Sequence, residues 1–438
     1  MSDHPTFTRR QFLHAGLAML STVGSVPAFL PRAASAMADT SMRVTSKAGV
    51  PEERVLVVVQ LSGGNDGLNT VVPFGMREYY NARPGIAVPR RDLLVVDNDN
   101  GIGLNPAMRG VHEMMGDRRA TILQGVGYPN PNRSHFASMD IWHSGITNDS
   151  GRGNRGHGWI GRALDKAYEA QVDANAGGAS NAGMACISLG SDAPLALQGR
   201  DVRPVAFQSP NLFRWHGTDH DRSLARSYDA ISQPADDAPP AATNDPTDFV
   251  FRTAMDAQVA SAQVRRAAAQ QPITAFPNSP LSRQLQTVSA MIRAELPTRV
   301  YYVAMGGFDT HANQLNPHQN LLRQFSEAMH AFYNELDALD QAGRVVTMAF
   351  SEFGRRTRQN ASAGTDHGAA GPMFLFGDHA RPGLVGRHPS LSQVDQAGDM
   401  IHHTDFRTVY RDVLENWMQL DTTGLFTRET SSAGILRA

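Results

Sequence analysis

Arg54-Val55-Leu56-Val57-Val58-Val59-Gln60-Leu61 is a near-continuous apolar, β-branched run, and Ser62-Gly63-Gly64-Asn65-Asp66-Gly67 follows it directly. A run with no polar alternation reads as a strand covered on both faces, the situation of a central strand in a parallel sheet. The glycine-rich loop then falls at the carboxyl end of that strand, where open α/β sheets hold their ligands. Its spacing is neither the dinucleotide fingerprint nor a Walker loop.

Further strands are expected at Ala120–Gln124, Ala185–Leu189, Val202–Phe207, Val300–Met305, Val345–Phe350 and Met373–Phe376. Helical periodicity runs through Ser134–Ser144, Phe249–Gln270, Leu281–Leu296, His318–Leu339 and Phe406–Leu420. Strands alternating with helices predict a layered α/β fold with a mainly parallel central sheet. The Ala/Gly/Ser/Asn stretch 173–183 and the Pro/Ala/Asp stretch 232–248 have too little apolar surface to order firmly. Insertions are therefore expected near 148–183 and 217–296, the second forming a cap or an added helical layer. No internal repeat is present.

At the other end of the reading is Thr8-Arg9-Arg10-Gln11-Phe12-Leu13. An apolar stretch without acidic residues, lysine or arginine follows to Leu30, and then Ala34-Ser35-Ala36. That order of charge, apolar run and small residues is a twin-arginine signal peptide over 1–36, cleaved after Ala36 or Ala38. A linker over 37–53, the main domain over 54–425 and a tail over 426–438 complete the expected organisation. The expected location is the periplasm or the medium, with the twin-arginine translocase as the partner during export. Removing 36 of 438 residues leaves 438 − 36 = 402, enough for one large domain or two ordinary ones. Formal net charge is −2 with both signs dispersed, which points away from nucleic acid. After the signal no apolar run is long enough for a stable membrane span. Cys186 is the one cysteine, so neither an internal disulfide nor a cysteine zinc cluster is available. Its apolar neighbours mark it as packing.

Polar residues that follow the expected strands define the candidate site. Asp66, with Asn65 as the alternative, offers oxygen ligands after the first strand, although Asn-Asp-Gly also suits a plain turn. Ser134 opens a helix, where it is either an N-cap or a nucleophile facing an anion. Asp309 and His311 follow Val300–Met305, and Glu352, Asp366 and His367 follow Val345–Phe350. In a parallel sheet these strand ends share one edge. Asp66, Asp309, His311, Glu352, Asp366 and His367 are therefore expected to converge on a polar or metal site, with zinc, calcium or manganese as the candidate ions. Arg133 would clamp an anionic group.

The segments Leu61–Phe74, Asn132–Phe136 with Trp142 and Gly145, Phe308–His311, Ser351–Arg355 and Thr365–Gly368 together resemble the exported domain-of-unknown-function family 1501. The match runs from about Val55 to Trp417. That family is placed with the alkaline phosphatases and sulfatases, metal-dependent hydrolases of phosphate and sulfate esters. The resemblance implies a three-layer alkaline phosphatase-like fold. It gives Ser134 the nucleophile's place, and Asp66 or Asn65, Asp309, His311, Glu352 and His367, joined by Asp366, the metal ligands' places. Two departures stand out. Only Thr310 separates Asp309 from His311, and Glu352-Phe353 stands where an Asp-His pair is usual, removing an imidazole.

The expected activity is hydrolysis of a sulfate or phosphate ester, small or carried on a polysaccharide. The alternative is a non-catalytic exported binding or surface-complex protein on the same fold. No haem, cluster or nucleotide motif supports an exported redox enzyme.

Overall fold

The computed structural model describes residues 54–147, 156–174, 184–210, 261, 263–426 and 432–437. Expectations for the signal peptide, the linker, the first part of Phe249–Gln270 (249–260 and 262) and, in the two insertions, 148–155, 175–183 and 217–260 lie outside these residues.

In chain order the strands are β1 Val55–Leu61, β2 Val71–Val72, β3 Leu94–Asp97, β4 Ile102–Leu104, β5 Ala120–Gly127, β6 Cys186–Leu189, β7 Val205–Ala206, β8 Val300–Met305, β9 Val345–Phe350, β10 Gly371–Phe376, β11 Gly383–Val385 and β12 Thr404–Asp405. The helices are α1 Gly67–Thr70, α2 Arg77–Ala82, α3 Arg109–Gly116, α4 His135–Ser144, α5 Trp159–Ala174, α6 Pro280–Arg293, α7 Leu315–Ala338 and α8 Phe406–Asp412, the last continued by a π turn over Val413–Trp417.

The main sheet has the order β11-β5-β10-β9-β1-β8-β6-β7, and β12 also pairs with β5. β1 lies at its centre, parallel to β8 on one side (Val58 opposite Tyr302) and to β9 on the other (Val58 opposite Met348). β10 alone runs against its neighbours β9 and β5. The carboxyl ends of β1, β5, β8 and β9 therefore share one edge, as expected. Val202–Phe207 is shorter in strand form than its composition suggests. A small antiparallel sheet, β2-β4-β3, was not anticipated, because strands of two to four residues carry too little periodicity to read.

β1 shows why the sheet is buried on both faces. Val55, Val57, Val59 and Leu61 belong to one core with Val303, Val345 and the α3, α6 and α7 side chains Val111, Leu285, Val288, Phe325 and Phe332. Leu56 and Val58 belong to the other, with Trp142 of α4, Trp159 of α5 and Phe406 and Tyr410 of α8. Side chains alternate across a strand, so each face needs its own helical layer. α6 is part of that layer, so the end of the stretch expected as an insertion belongs to the core. In the second layer Trp142 stacks on Phe406 at 4.4 Å and on Phe350 at 5.3 Å, and Trp159 on Tyr410 at 4.0 Å. Cys186 is fully buried, and burial pushes its thiol up, which fits a packing role.

Candidate metal centre

Four segments meet at the shared edge: the β1 loop, the loop after β5 leading into α4, the loop after β8, and the long connection between β9 and β10. Glycine permits the close approach. Gly63 has φ +117°, and a Cβ there would lie 2.4 Å from the Asp309 backbone nitrogen. A Cβ on Gly364 would lie 2.2 Å from the His311 carbonyl oxygen. Arg355, wholly buried, fastens three of the segments. It donates to the carbonyls of Gly64 (2.7 Å), Thr365 (2.8 Å), Phe308 (3.0 Å) and Gly63, and to Asp309 Oδ1 at 2.7 Å.

Asp309 Oδ1 is the centre of the group. His311 Nε2 and His367 Nε2 each lie 3.0 Å from it, His135 Nε2 lies 3.5 Å away, and the His311 and His367 Nε2 atoms are 2.9 Å apart. His135, Asp309 and His367 offer ligand atoms all within 4.8 Å of one another, and His311 adjoins them. Burial opposes ionisation of Asp309, but hydrogen bonds from Arg355 and His367 and the charges of Arg355 and His311 outweigh it. The carboxyl is held well below its usual range.

The outer nitrogens of the imidazoles are equally ordered. His135 Nδ1 bonds Glu352 Oε1 at 2.9 Å, His367 Nδ1 bonds the Arg133 carbonyl at 2.8 Å, and His311 Nδ1 bonds Asp366 Oδ1 at 3.3 Å. A carboxylate or a carbonyl only accepts, so each Nδ1 carries the proton. The three Nε2 atoms therefore all turn towards Asp309, the arrangement that orients metal-bound imidazoles. Ligand atoms at about 2.0–2.1 Å from a tetrahedral zinc stand about 3.3 Å apart, and the distances of His367 and His135 Nε2 from Asp309 Oδ1, 3.0 and 3.5 Å, bracket that value. The donor set fits a borderline ion such as zinc better than calcium, which takes oxygen.

Of the six expected ligands, Asp309, His311 and His367 come together facing inward. Glu352 and Asp366 are present but act from outside, as acceptors for His135 and His311. Glu352 Oε1 also accepts from the Gly63 N–H at 2.8 Å. Asp66 is turned elsewhere. It caps α1 through the Leu68 N–H (3.2 Å), pairs with Arg83 at 2.5 Å and accepts from Gln314 Nε2, entirely buried. Asn65 Oδ1 is likewise taken, by Thr70 and by His318 Nε2 at 2.9 Å. Gln314 Oε1 in turn accepts from Thr310 (3.2 Å) and Thr365 (2.5 Å), so Asp66 braces both ligand-bearing loops from behind.

Arg133 does not clamp an open anion position: its Nε and Nη2 bond Asp399 and Asp395. Ser134 is the N-cap residue of α4 but its side chain makes no capping bond. Its N–H donates to Asn132 Oδ1 at 2.8 Å, and the residue is exposed between Arg133 and His135. His135 is the candidate ligand that sequence reasoning passed over. The Phe353 ring packs against His135 (4.9 Å) and His367 (4.6 Å). The signal for His135 was its place beside Ser134. A helix-start residue that follows a strand end by eight residues faces the same edge.

Behind this group His318 is wholly buried, and burial lowers it to about 4. A folded-state value below the ordinary 6.5 means that the unfolded chain takes up the proton first. Stability from this residue is complete above about pH 6.5 and is lost as pH falls towards about 4. We expect the pH dependence of chemical unfolding to lose about 3 kcal/mol of its acid slope in His318→Asn. An unchanged slope contradicts this.

The family model described as "Protein of unknown function (DUF1501)" matches residues 53–424. The chain belongs to that family. No curated protein matches it. Solved structures similar to it include the C-terminal periplasmic domain of EcEptC from Escherichia coli, at 10% identity and TM-score 0.38, covering 89% of this chain and 92% of that one. The PsFucS1 sulfatase from Pseudoalteromonas sp. gives 8% identity and TM-score 0.37, covering 88% of this chain and 72% of the other. A protein in the alkaline phosphatase superfamily from Vibrio parahaemolyticus gives 7% and 0.34, covering 82% and 70%. Among the described residues no helix is long and apolar enough to cross a membrane.

Proposed function

We propose that this member of the family is a metal-dependent hydrolase of anionic esters, sulfate or phosphate, that works after export. The observation carrying it is the convergence of three Nε2 atoms on Asp309 with every Nδ1 anchored outside. His135, Asp309 and His367 would hold one ion, zinc by donor type, with His311 beside them. Bound there, the ion supplies Lewis acidity and lowers the pKa of a neighbouring hydroxyl or water. The protein's own part is positional. Glu352, the Arg133 carbonyl and Asp366 fix the three rings, and Phe353 limits access of water to two of them. Arg355 holds Asp309 ionised whether or not the ion is present. Ser134, exposed at the helix start next to His135, would attack or position water. Export rests on Arg9, Arg10 and the apolar stretch after them.

The test is metal analysis of the purified protein, then a panel of sulfate and phosphate esters on wild type and Ser134→Ala. We expect about one zinc per chain, and kcat and kcat/KM falling together in Ser134→Ala. Protein that binds zinc and turns over no ester is a binding protein. The engagement of Arg133 by Asp395 and Asp399 is what favours that second reading. Protein that takes up no metal and cleaves no ester ends the hydrolase proposal.

A further inference from the structure

We infer that Asp399 is a positioning residue for the metal centre, acting through Arg133 on His367; the inference rests on the metal-binding reading above. Two of the rings, His135 and His311, are anchored on side-chain carboxylates. His367 differs, because its Nδ1 donates to a main-chain carbonyl, that of Arg133, at 2.8 Å. A carbonyl in a surface loop orients a ring only as well as the loop itself is fixed. Here the fixing comes from the same residue's side chain. Arg133 Nε bonds Asp399 Oδ2 at 2.6 Å, Nη2 bonds the same oxygen, and Nη2 also reaches Asp395 at 3.3 Å.

Asp399 is built into its place. Its side chain is fully buried, whereas Arg133 is one-third exposed. Its N–H donates to Asp395 Oδ1 at 2.9 Å, and the carbonyl of Gly398 accepts from Thr357 Oγ1 at 3.0 Å. The carboxylate is thus tied to the connection that carries Arg355 and Arg356. On its other side Oδ1 faces Arg356 Nε at 3.9 Å, too far for a hydrogen bond. The chain of contacts is Asp399 to the Arg133 guanidinium, then along one residue to its carbonyl, and from there to His367 Nδ1–H. Removing the carboxylate frees the Arg133 side chain, loosens the carbonyl and lets the His367 ring rotate away from Asp309. Partners of this kind that orient a metal-bound histidine are worth about 10- to 100-fold in metal affinity.

The experiment is competitive zinc titration of the full-length protein, with cobalt substitution to read the ligand field, on wild type, Asp399→Ala, Asp399→Asn, Asp395→Asn and Glu352→Gln. We expect zinc affinity to fall about 10- to 100-fold in Asp399→Ala, with an altered cobalt d–d spectrum. Asp399→Asn, which keeps an acceptor for Arg133, should recover part of the loss. Asp395→Asn should change little. Glu352→Gln, which acts on His135 directly, sets the scale. Thermal unfolding of the metal-free variants separates general damage from positioning, since damage leaves the cobalt spectrum of the loaded fraction as in wild type. Should Asp399→Ala not fold, the Asp399→Asn titration decides alone. Wild type that binds zinc together with Asp399 variants of unchanged affinity and spectrum overturns the inference and leaves the metal centre standing. Wild type that binds neither zinc nor cobalt removes the metal centre and the inference with it.

Discussion

Asp66→Asn should destabilise the protein by about 3–5 kcal/mol in chemical unfolding, the cost of breaking a buried ion pair by neutralising one partner. Asp66 and Arg83 both have fully buried side chains at 2.5 Å, so solvent does little to screen the loss. Arg83 would keep its bonds to Asn69 Oδ1, Thr357 O and Arg356 O, but its charge would be left without a counter-charge. Arg83→Met should cost a similar amount, and the double variant should cost less than the two singles added, by about 0.5–3 kcal/mol of coupling. Metal affinity should move less than stability, because Asp66 reaches the ligand loops only through Gln314, Thr310 and Thr365. The opposite pattern, stability intact and metal lost, would make Asp66 a ligand and reverse the assignment drawn from its contacts.

Asp309→Asn should show no saturable zinc binding over the range that fills wild type, with loss of any ester hydrolysis. The asparagine keeps an acceptor for Arg355 while removing the charge that faces three Nε2 atoms. His135→Ala and His367→Ala should each weaken zinc by more than the roughly 100-fold upper range of an orienting residue. A thermodynamic readout is available without knowing the substrate. Zinc at 100 times its Kd stabilises a folded site by about 2.7 kcal/mol. Wild type should gain that increment in unfolding and Asp309→Asn should gain none. Equal zinc-induced gains in wild type and His135→Ala would mean that the ion sits elsewhere.

Much of the framework was legible because it depends on local pattern. An unbroken β-branched run such as Val55–Leu61 has few alternatives to a central strand, and Val300–Met305 and Val345–Phe350 are its two neighbours in the sheet. The carboxyl-end rule then placed Asp309, His311 and His367 on one edge. What escaped was set by long-range contact. β10 looks like any apolar strand in sequence, and only its partners give it the antiparallel sense. Asp66, in a glycine-rich loop after the first strand, looks like a ligand until Arg83 is found folded against it. Arg133 looks free until a segment 266 residues later supplies Asp399. His135 was overshadowed by Ser134, since a serine at a helix start is read first as a cap or a nucleophile. The family resemblance, resting on five spaced motifs, is matched by the family model over 53–424.

The central place of β1 also governs how the molecule comes to be made. Arg54 and its partner Arg299 are 245 residues apart, and Leu61 and Ser351 are 290 apart. At about 5–20 residues per second, a ribosome needs roughly 15–60 s after making β1 before β9 can join it. Until β8 follows, Val55–Leu61 has neither of its sheet neighbours, and until β9 follows one of its edges still lacks a partner, the form most prone to pair with the wrong chain. The centre of the sheet therefore closes only near the end of synthesis, and until then the newborn chain depends on something other than its own fold to keep that segment covered.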